Sequence, residues 1–122
     1  INLAPAATPE QITELQTARK KIRVSPPVKE YIADIVNATR NHNALHYGAS
    51  PRGSLGLMRS AQALAALRGR DFVLPDDIKH LVGPVLAHRL ILTDEERLRG
   101  RTPEPLLEEL LDQIPVPAPT EQ

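Results

Sequence analysis

The 122-residue sequence contains no cysteine and no tryptophan, and its aromatic residues are limited to Tyr31, Tyr47 and Phe72. The absence of cysteine excludes a disulfide scaffold, a thiol nucleophile and any cysteine-ligated zinc or iron–sulfur site. Because aromatic side chains are so scarce, the core must be built from aliphatic ones. The 17 leucines and 14 alanines that dominate this set favour helices over strands.

Long hydrophobic runs and a net charge are also missing. No apolar stretch approaches the roughly 18 residues of a membrane-spanning helix, and no basic segment followed by an apolar one indicates a signal peptide. We therefore expect a cytoplasmic protein that does not contact membranes. Its 15 basic and 15 acidic residues cancel, which argues against binding nucleic acid through bulk charge. The sequence starts at Ile1 rather than Met, which suggests a fragment.

Proline is abundant instead, with 12 residues, about twice the usual frequency. Five of the prolines precede an apolar stripe of helical spacing, and four of these five follow a Ser or Thr that can cap a helix, which is typical of a helix start. The sequence thus predicts an all-α fold, an irregular four- to five-helix bundle. The predicted helices begin near Pro9, Pro26, Pro51, Pro75 and Pro103.

The spacing of apolar residues gives further expectations. Ile12 and Leu15 are expected on the buried face of the first helix, and Pro84 is expected to break or kink the fourth near Gly83. Residues 89–92 are a candidate strand, with residues 22–24 as its candidate partner in a two-stranded ribbon. Residues 42–49 and 93–101 are predicted to be loops. We expect residues 1–7 to be a linker, 8–114 one helical domain and 115–122 a Pro-rich disordered tail.

Arg52 is the most informative single residue. The order Ser50, Pro51, Arg52 predicts an N-cap, a first helical position and a second one. A cation in the first turn is unfavourable there, because the unpaired N–H groups and the helix dipole are already positive. The sequence therefore indicates a phosphate or carboxylate partner for Arg52, with an ordinary surface ion pair as the alternative. Nearby, Gly53 would permit a close approach to that end of the helix.

Other candidate chemistry is weaker. His42 and His46 have the spacing of metal ligands on a helix, but they lie in a predicted loop without a third ligand close by, so no metal site is predicted. Asp76 and Asp77 are a possible carboxylate pair, yet adjacent helical residues diverge and acids in a first turn simply stabilise a helix. The serines lack a nucleophile-elbow pattern. We therefore predict no catalytic residue within this chain.

No phosphate-binding loop of the form G-x-x-x-x-G-K-[ST] or G-x-G-x-x-G occurs. Two other function classes remain open from the residues alone. The chain could be a stand-alone helical protein-interaction module, or a helix–turn–helix DNA-binding domain over residues 28–68. The second is disfavoured because there is no concentrated basic face.

Three segments carry a resemblance to a known family: Y-G-A-S-P-R-G at residues 47–53, G-R-D-F-V-L-P-D-D-I at 69–78 and V-L-A-H-R at 85–89. In this order and spacing they resemble the C-terminal helical lid of MoxR-type AAA+ ATPases, over residues 8–116. The resemblance implies that Arg52 is the sensor 2 arginine, which reaches the γ-phosphate of ATP. Ser50 and Pro51 would then support this site by holding the start of the helix. Arg40 and Arg89 match recurrent family positions, and for them we expect structural ion pairs.

The resemblance also implies what lies outside this sequence. The P-loop, Walker B acid, sensor 1 and arginine finger belong to the ATPase core, so this chain should not hydrolyse ATP by itself and has no cofactor of its own. ATP and Mg would be bound by the full-length protein, with residues 1–7 leading from its core. Expected partners are that core, adjacent subunits of a homo-oligomeric ring, typically a hexamer, and proteins with von Willebrand factor A domains. The implied role is chaperone-like client maturation, with nucleotide state coupled to ring conformation.

Overall fold

A computed structural model describes residues 3–118 of the chain. These residues form mainly helices, with one 3₁₀ turn and a two-stranded antiparallel sheet, which confirms the all-α prediction. In chain order the elements are α1 (Pro9–Lys20), α2 (Pro26–Arg40), β1 (Leu45–Tyr47), α3 (Pro51–Leu67), α4 (Pro75–Leu86), the 3₁₀ turn Ala87–Arg89, β2 (Ile91–Leu92), α5 (Asp94–Leu98) and α6 (Pro103–Gln113).

The predicted helix starts are confirmed, since each of the five longer helices has proline in its first turn. The best-capped start is that of α1, where the Gln11 N–H donates to the Thr8 hydroxyl at 3.2 Å. In return, the Thr8 N–H donates to the Gln11 side-chain oxygen at 2.8 Å. This reciprocal pair satisfies two N–H groups that would otherwise lack an acceptor.

One core, aliphatic apart from Tyr31, joins α2, α3, α4 and α6. Its most buried large side chains, with 0–2% of their surface exposed, come from each of these helices. The loop after α2 and the residues of β1 and β2 close the core at its edge. The largest buried apolar side chains are Tyr31 and Ile35 of α2, Leu57 of α3, Ile78 and Leu86 of α4, and Leu106 and Leu107 of α6.

The buried face predicted for α1 is wrong. Ile12 is 48% exposed and Leu15 67%, and α1 contains no buried residue. The helix is joined to the domain near its C-terminal end, where Arg19 donates to the Gln62 side-chain oxygen at 3.1 Å. Gln62 in turn donates to the Ile22 carbonyl at 2.8 Å. The apolar spacing identified the helix correctly, but nothing among the described residues covers that face.

The ribbon exists, but with a different partner from the predicted one. Ile91 and Leu92 form β2, which pairs antiparallel with β1, so part of the predicted loop 42–49 is a strand. The segment 22–24 instead forms an isolated parallel bridge between Arg23 and Phe72. In this bridge the Arg23 N–H donates to the Asp71 carbonyl, and the Val73 N–H donates to the Arg23 carbonyl. Short strands carry little pairing information, because their partner is decided by how the helices pack.

Two further expectations need correction. The predicted loop 93–101 contains α5, which is capped by the Thr93 hydroxyl accepting from the Glu96 N–H at 3.3 Å. The helix α4 continues through Pro84 to Leu86, so a break near Gly83 is wrong, and the alternative of a kink there stays a prediction. Pro84 lies in the last turn of that helix, where a missing N–H removes a single intrahelical bond.

The two ends of the chain are described only in part. Residues 3–7 are exposed and precede α1, and residues 115–118 follow α6 without regular structure. Residues 1 and 2 of the predicted linker and residues 119–122 of the predicted tail lie outside the described residues. The domain boundaries and the disorder of the tail therefore stay predictions. Within residues 3–118, no helix combines the length and the apolar character needed to cross a bilayer.

Candidate functional site

The N-terminus of α3 is built as the sequence predicted. Ser50 occupies the N-cap position with an extended backbone (φ −87°, ψ 173°), and Pro51 and Arg52 are the first two helical residues. The Ser50 carbonyl accepts the first helical bonds, from the Gly53 N–H at 2.8 Å and the Ser54 N–H at 3.4 Å. The Ser50 hydroxyl, however, makes no capping bond. Its contribution to this helix start is therefore the backbone geometry rather than a side-chain cap.

Arg52 projects from this first turn into solvent. It makes no hydrogen bond or salt bridge with any of residues 3–118, and the first turn of α3 contains no acidic residue. The alternative of a local surface ion pair is therefore wrong for the described part of the chain. A guanidinium with five donors therefore remains at the positive end of the helix dipole, an arrangement suited to an anion.

Gly53 lets another part of the domain approach the same turn. A Cβ atom at Gly53 would lie 3.1 Å from Cδ2 of Leu86 and 3.2 Å from Cβ of Ala49, both tighter than about nine in ten Cβ contacts in proteins. The close approach predicted from this glycine is therefore intramolecular. It allows the start of α3 to pack directly against the end of α4.

Arg89 lies beside this turn as well, because its Cδ would be 3.7 Å from that same Cβ. It is exposed, and it forms no ion pair within residues 3–118. Arg40 forms none there either, and donates through Nε to the Ala49 carbonyl at 2.8 Å. The expectation that Arg40 and Arg89 make structural ion pairs is therefore wrong within the described residues.

An open apolar groove of about 380 Å³ runs between α2 and α3 from the same helix end. Pro51, Leu55 and Met58 line it from α3, while Ile32 and Ala33 line it from α2. Leu55 is 41% exposed, so an apolar surface begins at the same helix turn that carries Arg52.

The two candidate carboxylates, Asp76 and Asp77, have different environments. Asp76 is exposed, whereas Asp77 has no exposed surface. Both terminal nitrogens of Arg70 donate to the Asp77 carboxylate, at 2.8 and 2.6 Å, and one of Arg68 donates at 3.3 Å. The Leu74 N–H adds a fourth bond at 2.8 Å. The two acids therefore do not form a catalytic pair, and Asp77 joins the end of α3 to the start of α4.

The protonation of Asp77 follows from these contacts. Burial by itself raises the pKa of the Asp77 carboxyl. The hydrogen bonds from Arg70 and Leu74 and the charges of Arg70 and Arg68 outweigh burial, so the pKa lies below its usual value. The hydrogen bond to Asp77 likewise raises the pKa of Arg70, more than burial lowers it. The pair is thus ionised at neutral pH.

The histidines do not come together. The His42 Nδ1 accepts from the Ala44 N–H at 3.1 Å. The His46 ring packs edge-on against the Tyr47 ring, with 4.5 Å between the ring centroids. Across residues 3–118 there is no group of three or more His, Cys, Asp or Glu side chains placed to hold a metal ion.

Sequence reasoning missed two buried polar residues near the ends of α3. Asp77 was interpreted only as a first-turn acid, although its place at the third helical position is typical of a residue that accepts from the N-cap N–H. Thr39 lies on the buried face of α2, and the sequence predicts no role for it. Its hydroxyl donates to the Val36 carbonyl at 2.6 Å and accepts from the Ala49 N–H at 2.9 Å. A threonine on an otherwise aliphatic stripe was the available signal, because a buried hydroxyl needs partners.

Comparisons with known proteins agree with this architecture. Residues 37–110 match the AAA lid domain family. The chain is 40% identical to the uncharacterized protein YeaC of Bacillus subtilis, covering 94% of this chain and 36% of that protein. It is 36% identical to the chaperone MoxR1 of Mycobacterium tuberculosis, over 72% of this chain and 26% of that protein. It is also 36% identical to protein MoxR of Paracoccus denitrificans, over 77% of this chain and 32% of that protein.

A solved structure also matches. A crystal structure from Cytophaga hutchinsonii, provisionally described as an ATPase, superposes with a TM-score of 0.85 at 30% identity. The match covers 89% of this chain and 36% of that one. The chain thus spans about a third of the length of the relatives it matches. Since the family match covers more than half of the chain, it belongs to the AAA lid domain family, as a lid of the MoxR type.

Proposed function

We propose that this chain is the lid of a longer MoxR-type AAA+ ATPase and supplies Arg52 as the sensor 2 arginine to ATP bound by the ATPase core. The observation that carries the proposal is the unpaired, exposed guanidinium at the N-terminus of α3. A charge held at an unfavourable end of a helix is accounted for when an anion binds there. The family match supports this function over a stand-alone interaction module or a DNA-binding domain.

The chemistry of the site suits a terminal phosphate. The guanidinium would donate to phosphate oxygens in a planar fork, and the positive end of the α3 dipole would add a favourable potential. In phosphoryl transfer, negative charge spreads over the oxygens of the γ-phosphoryl group, and a positioned arginine stabilises that charge. Hydrolysis then removes the group that Arg52 binds. The position of the lid would therefore follow the state of the nucleotide.

Several features of the whole protein belong to this proposal. The core would bind ATP and Mg and would carry the catalytic groups, because no phosphate-binding loop occurs in this chain. The full-length protein would be a cytoplasmic ring, a hexamer, whose subunits contact one another through core and lid. A chaperone-like role in client maturation, with partners that carry von Willebrand factor A domains, is proposed on the same basis. The name of the relative MoxR1, a chaperone, supports the chaperone-like part of this role.

The test is steady-state ATP hydrolysis by the full-length protein carrying Arg52→Ala. We expect kcat to fall by about 100-fold, the scale seen when one donor to a developing charge is removed. The matched control is Arg59→Ala. Arg59 is also exposed on α3, without a hydrogen bond or salt bridge to residues 3–118, and lies two turns further along the same face. We expect Arg59→Ala to hydrolyse ATP like the wild type.

Two results would contradict the proposal. Wild-type kcat in Arg52→Ala would show that Arg52 does not act on ATP. An equal fall in Arg59→Ala would show that the positive charge of this helix face matters, rather than the position of Arg52 in the first turn.

A further inference from the structure

The loop before α3 is joined to the last turn of α2 by two consecutive residues, Thr39 and Arg40. Both polar groups of the Ala49 backbone are bonded to them: the N–H donates to the Thr39 hydroxyl at 2.9 Å, and the carbonyl accepts from Arg40 Nε at 2.8 Å. Ala49 is 1% exposed and Thr39 0%. Ala49 directly precedes the N-cap Ser50, so its peptide groups determine where α3 begins.

Gly48 brings the loop to this position. A Cβ atom at Gly48 would lie 2.6 Å from the carbonyl carbon and oxygen of Thr39 and from the backbone nitrogen of Arg40. Real Cβ atoms do not approach backbone so closely, and backbone cannot turn aside as a flexible side chain can. The φ of Gly48 is not positive, so space rather than torsion requires glycine here. Only glycine lets the loop lie on α2 closely enough for both bonds to Ala49.

The Thr39 hydroxyl is itself held in one orientation. It donates to the Val36 carbonyl at 2.6 Å, so its hydrogen points into α2 and its lone pairs are left for the Ala49 N–H. A valine of the same shape would lose both bonds and would leave the Ala49 N–H buried without this acceptor. Arg40 makes an independent bond to the other side of the same residue.

We propose that Thr39, Arg40 and Gly48 are positioning residues for Arg52. They fix the Ala49 backbone, which sets the start of α3 and thereby the place from which Arg52 reaches a phosphate. The inference rests on the proposed function of Arg52. The physical reason is that an arginine acting on a developing charge must be held in place, and a displacement of about 1 Å can cost 100-fold in rate.

The experiment measures ATP hydrolysis by the full-length protein carrying Thr39→Val, alone and combined with Arg52→Ala. We expect Thr39→Val to lower kcat about tenfold, and Thr39→Ser, which keeps the hydroxyl, to stay within about twofold of the wild type. The double variant should be no slower than Arg52→Ala alone, because a positioning residue acts only through the group that it positions. Arg40→Ala removes the other bond to the Ala49 backbone and should also lower kcat. Because Arg40 is exposed, this variant tests the proposal even when the substitution of the buried Thr39 prevents folding.

Hydrogen exchange of the full-length protein reports the position of the loop directly. Thr39→Val should accelerate exchange in peptides covering residues 48–54. The matched control is Thr13→Val, because the Thr13 hydroxyl also donates to a carbonyl of its own helix, that of Pro9 at 3.0 Å, but lies on the exposed α1. It should alter neither exchange of residues 48–54 nor kcat.

The outcomes separate the two proposals. If Arg52→Ala is slow but Thr39→Val and Arg40→Ala are not, or if their effects multiply with that of Arg52→Ala, positioning through Arg52 is wrong and the role of Arg52 stands. Unchanged exchange of residues 48–54 in Thr39→Val would also overturn the positioning role. If Arg52→Ala hydrolyses ATP normally, both proposals are wrong.

Discussion

The two ends of α3 use arginine in opposite ways. At the C-terminal end, Arg68 caps the helix and, with Arg70, donates to the buried carboxylate of Asp77. At the N-terminal end, Arg52 and Arg89 lie close to the first turn with no acidic partner within residues 3–118. The helix dipole sharpens the contrast, because a cation is favourable at the C-terminal end and unfavourable at the N-terminal one.

This contrast separates structure from function within one helix. The cations at the C-terminal end have intramolecular partners, so they contribute to the folding of the domain. The cation at the N-terminal end has none within the described residues and carries an electrostatic cost, so folding alone does not explain Arg52. Substitutions at the C-terminal end should therefore lower the stability of the domain, whereas substitution of Arg52 should lower ATP hydrolysis by the full-length protein.

The largest effect is expected when the C-terminal end loses its carboxylate. Asp77→Asn keeps the size of the side chain but places an amide NH₂ against the donors of Arg70, and it leaves a largely buried guanidinium without its counter-charge. We expect the free energy of unfolding to fall by about 3 kcal/mol, measured by chemical denaturation. Asp76→Asn is the control, since this neighbouring acid is exposed, and it should change stability by less than about 0.5 kcal/mol. Equal losses of stability in the two variants would show that Asp77 stabilises the domain only as a negative charge in the first turn of α4, and not through its bonds to the arginines.

Acid should weaken the same end without any substitution. The pKa of Asp77 is lowered in the folded chain from its usual value of 3.8, so the unfolded chain binds a proton at a higher pH than the folded one. The contribution of Asp77 is thus complete above about pH 3.8 and is lost as the pH falls toward the lower folded pKa. The stability difference between wild type and Asp77→Asn should shrink over this range. A difference that stays constant would show that the ionised carboxylate is not the stabilising form.

The smallest effect, and one of opposite sign at the two ends, is expected from neutralising a single arginine. Arg52→Gln removes a cation from the helix N-terminus and should raise the free energy of unfolding by about 0.5 kcal/mol. Arg68→Gln removes a half-exposed ion pair and a cation from the C-terminus, and should lower it by about 0.5 kcal/mol. Chemical denaturation of both variants at low ionic strength measures these two changes in the free energy of unfolding. A loss of stability in Arg52→Gln would reveal a structural role for Arg52.

Local signals in the sequence predicted the helices well. Proline marked five helix starts, in four of them directly after a Ser or Thr, and the place of Arg52 in a first turn followed from Ser50 and Pro51 alone. The start of α5 carried a similar signal, since Thr93 is followed three residues later by Glu96, but the density of charge led to its assignment as a loop. Such features depend on a few neighbouring residues, so they can be recognised without the fold.

Features that depend on distant contacts could not be predicted. The stripe of Ile12 and Leu15 resembles any buried face, and only the packing shows that nothing in the described chain covers it. The partner of β2 depends on where the loop after α2 lies. That Asp77 rather than Asp76 meets two arginines depends on how α4 packs beside the end of α3 and the following linker, which no periodicity in the sequence encodes. The bonds of Thr39 to Ala49 likewise join residues that are brought together only by a reversal of the chain.

Gly53 has a mechanical consequence when it is considered together with Asp77. At one end of α3, the absent side chain of Gly53 lets α3 press against Leu86 near the end of α4, and at the other end Asp77 ties the start of α4 to Arg68 and Arg70. The 17 residues of α3 span about 25 Å between these two joints. Two helices in contact at both ends resist a change in the angle between them, whereas helices in contact at one end can turn about that contact. We therefore expect a displacement beside Gly53 to move α3 and α4 together rather than to change the angle between them.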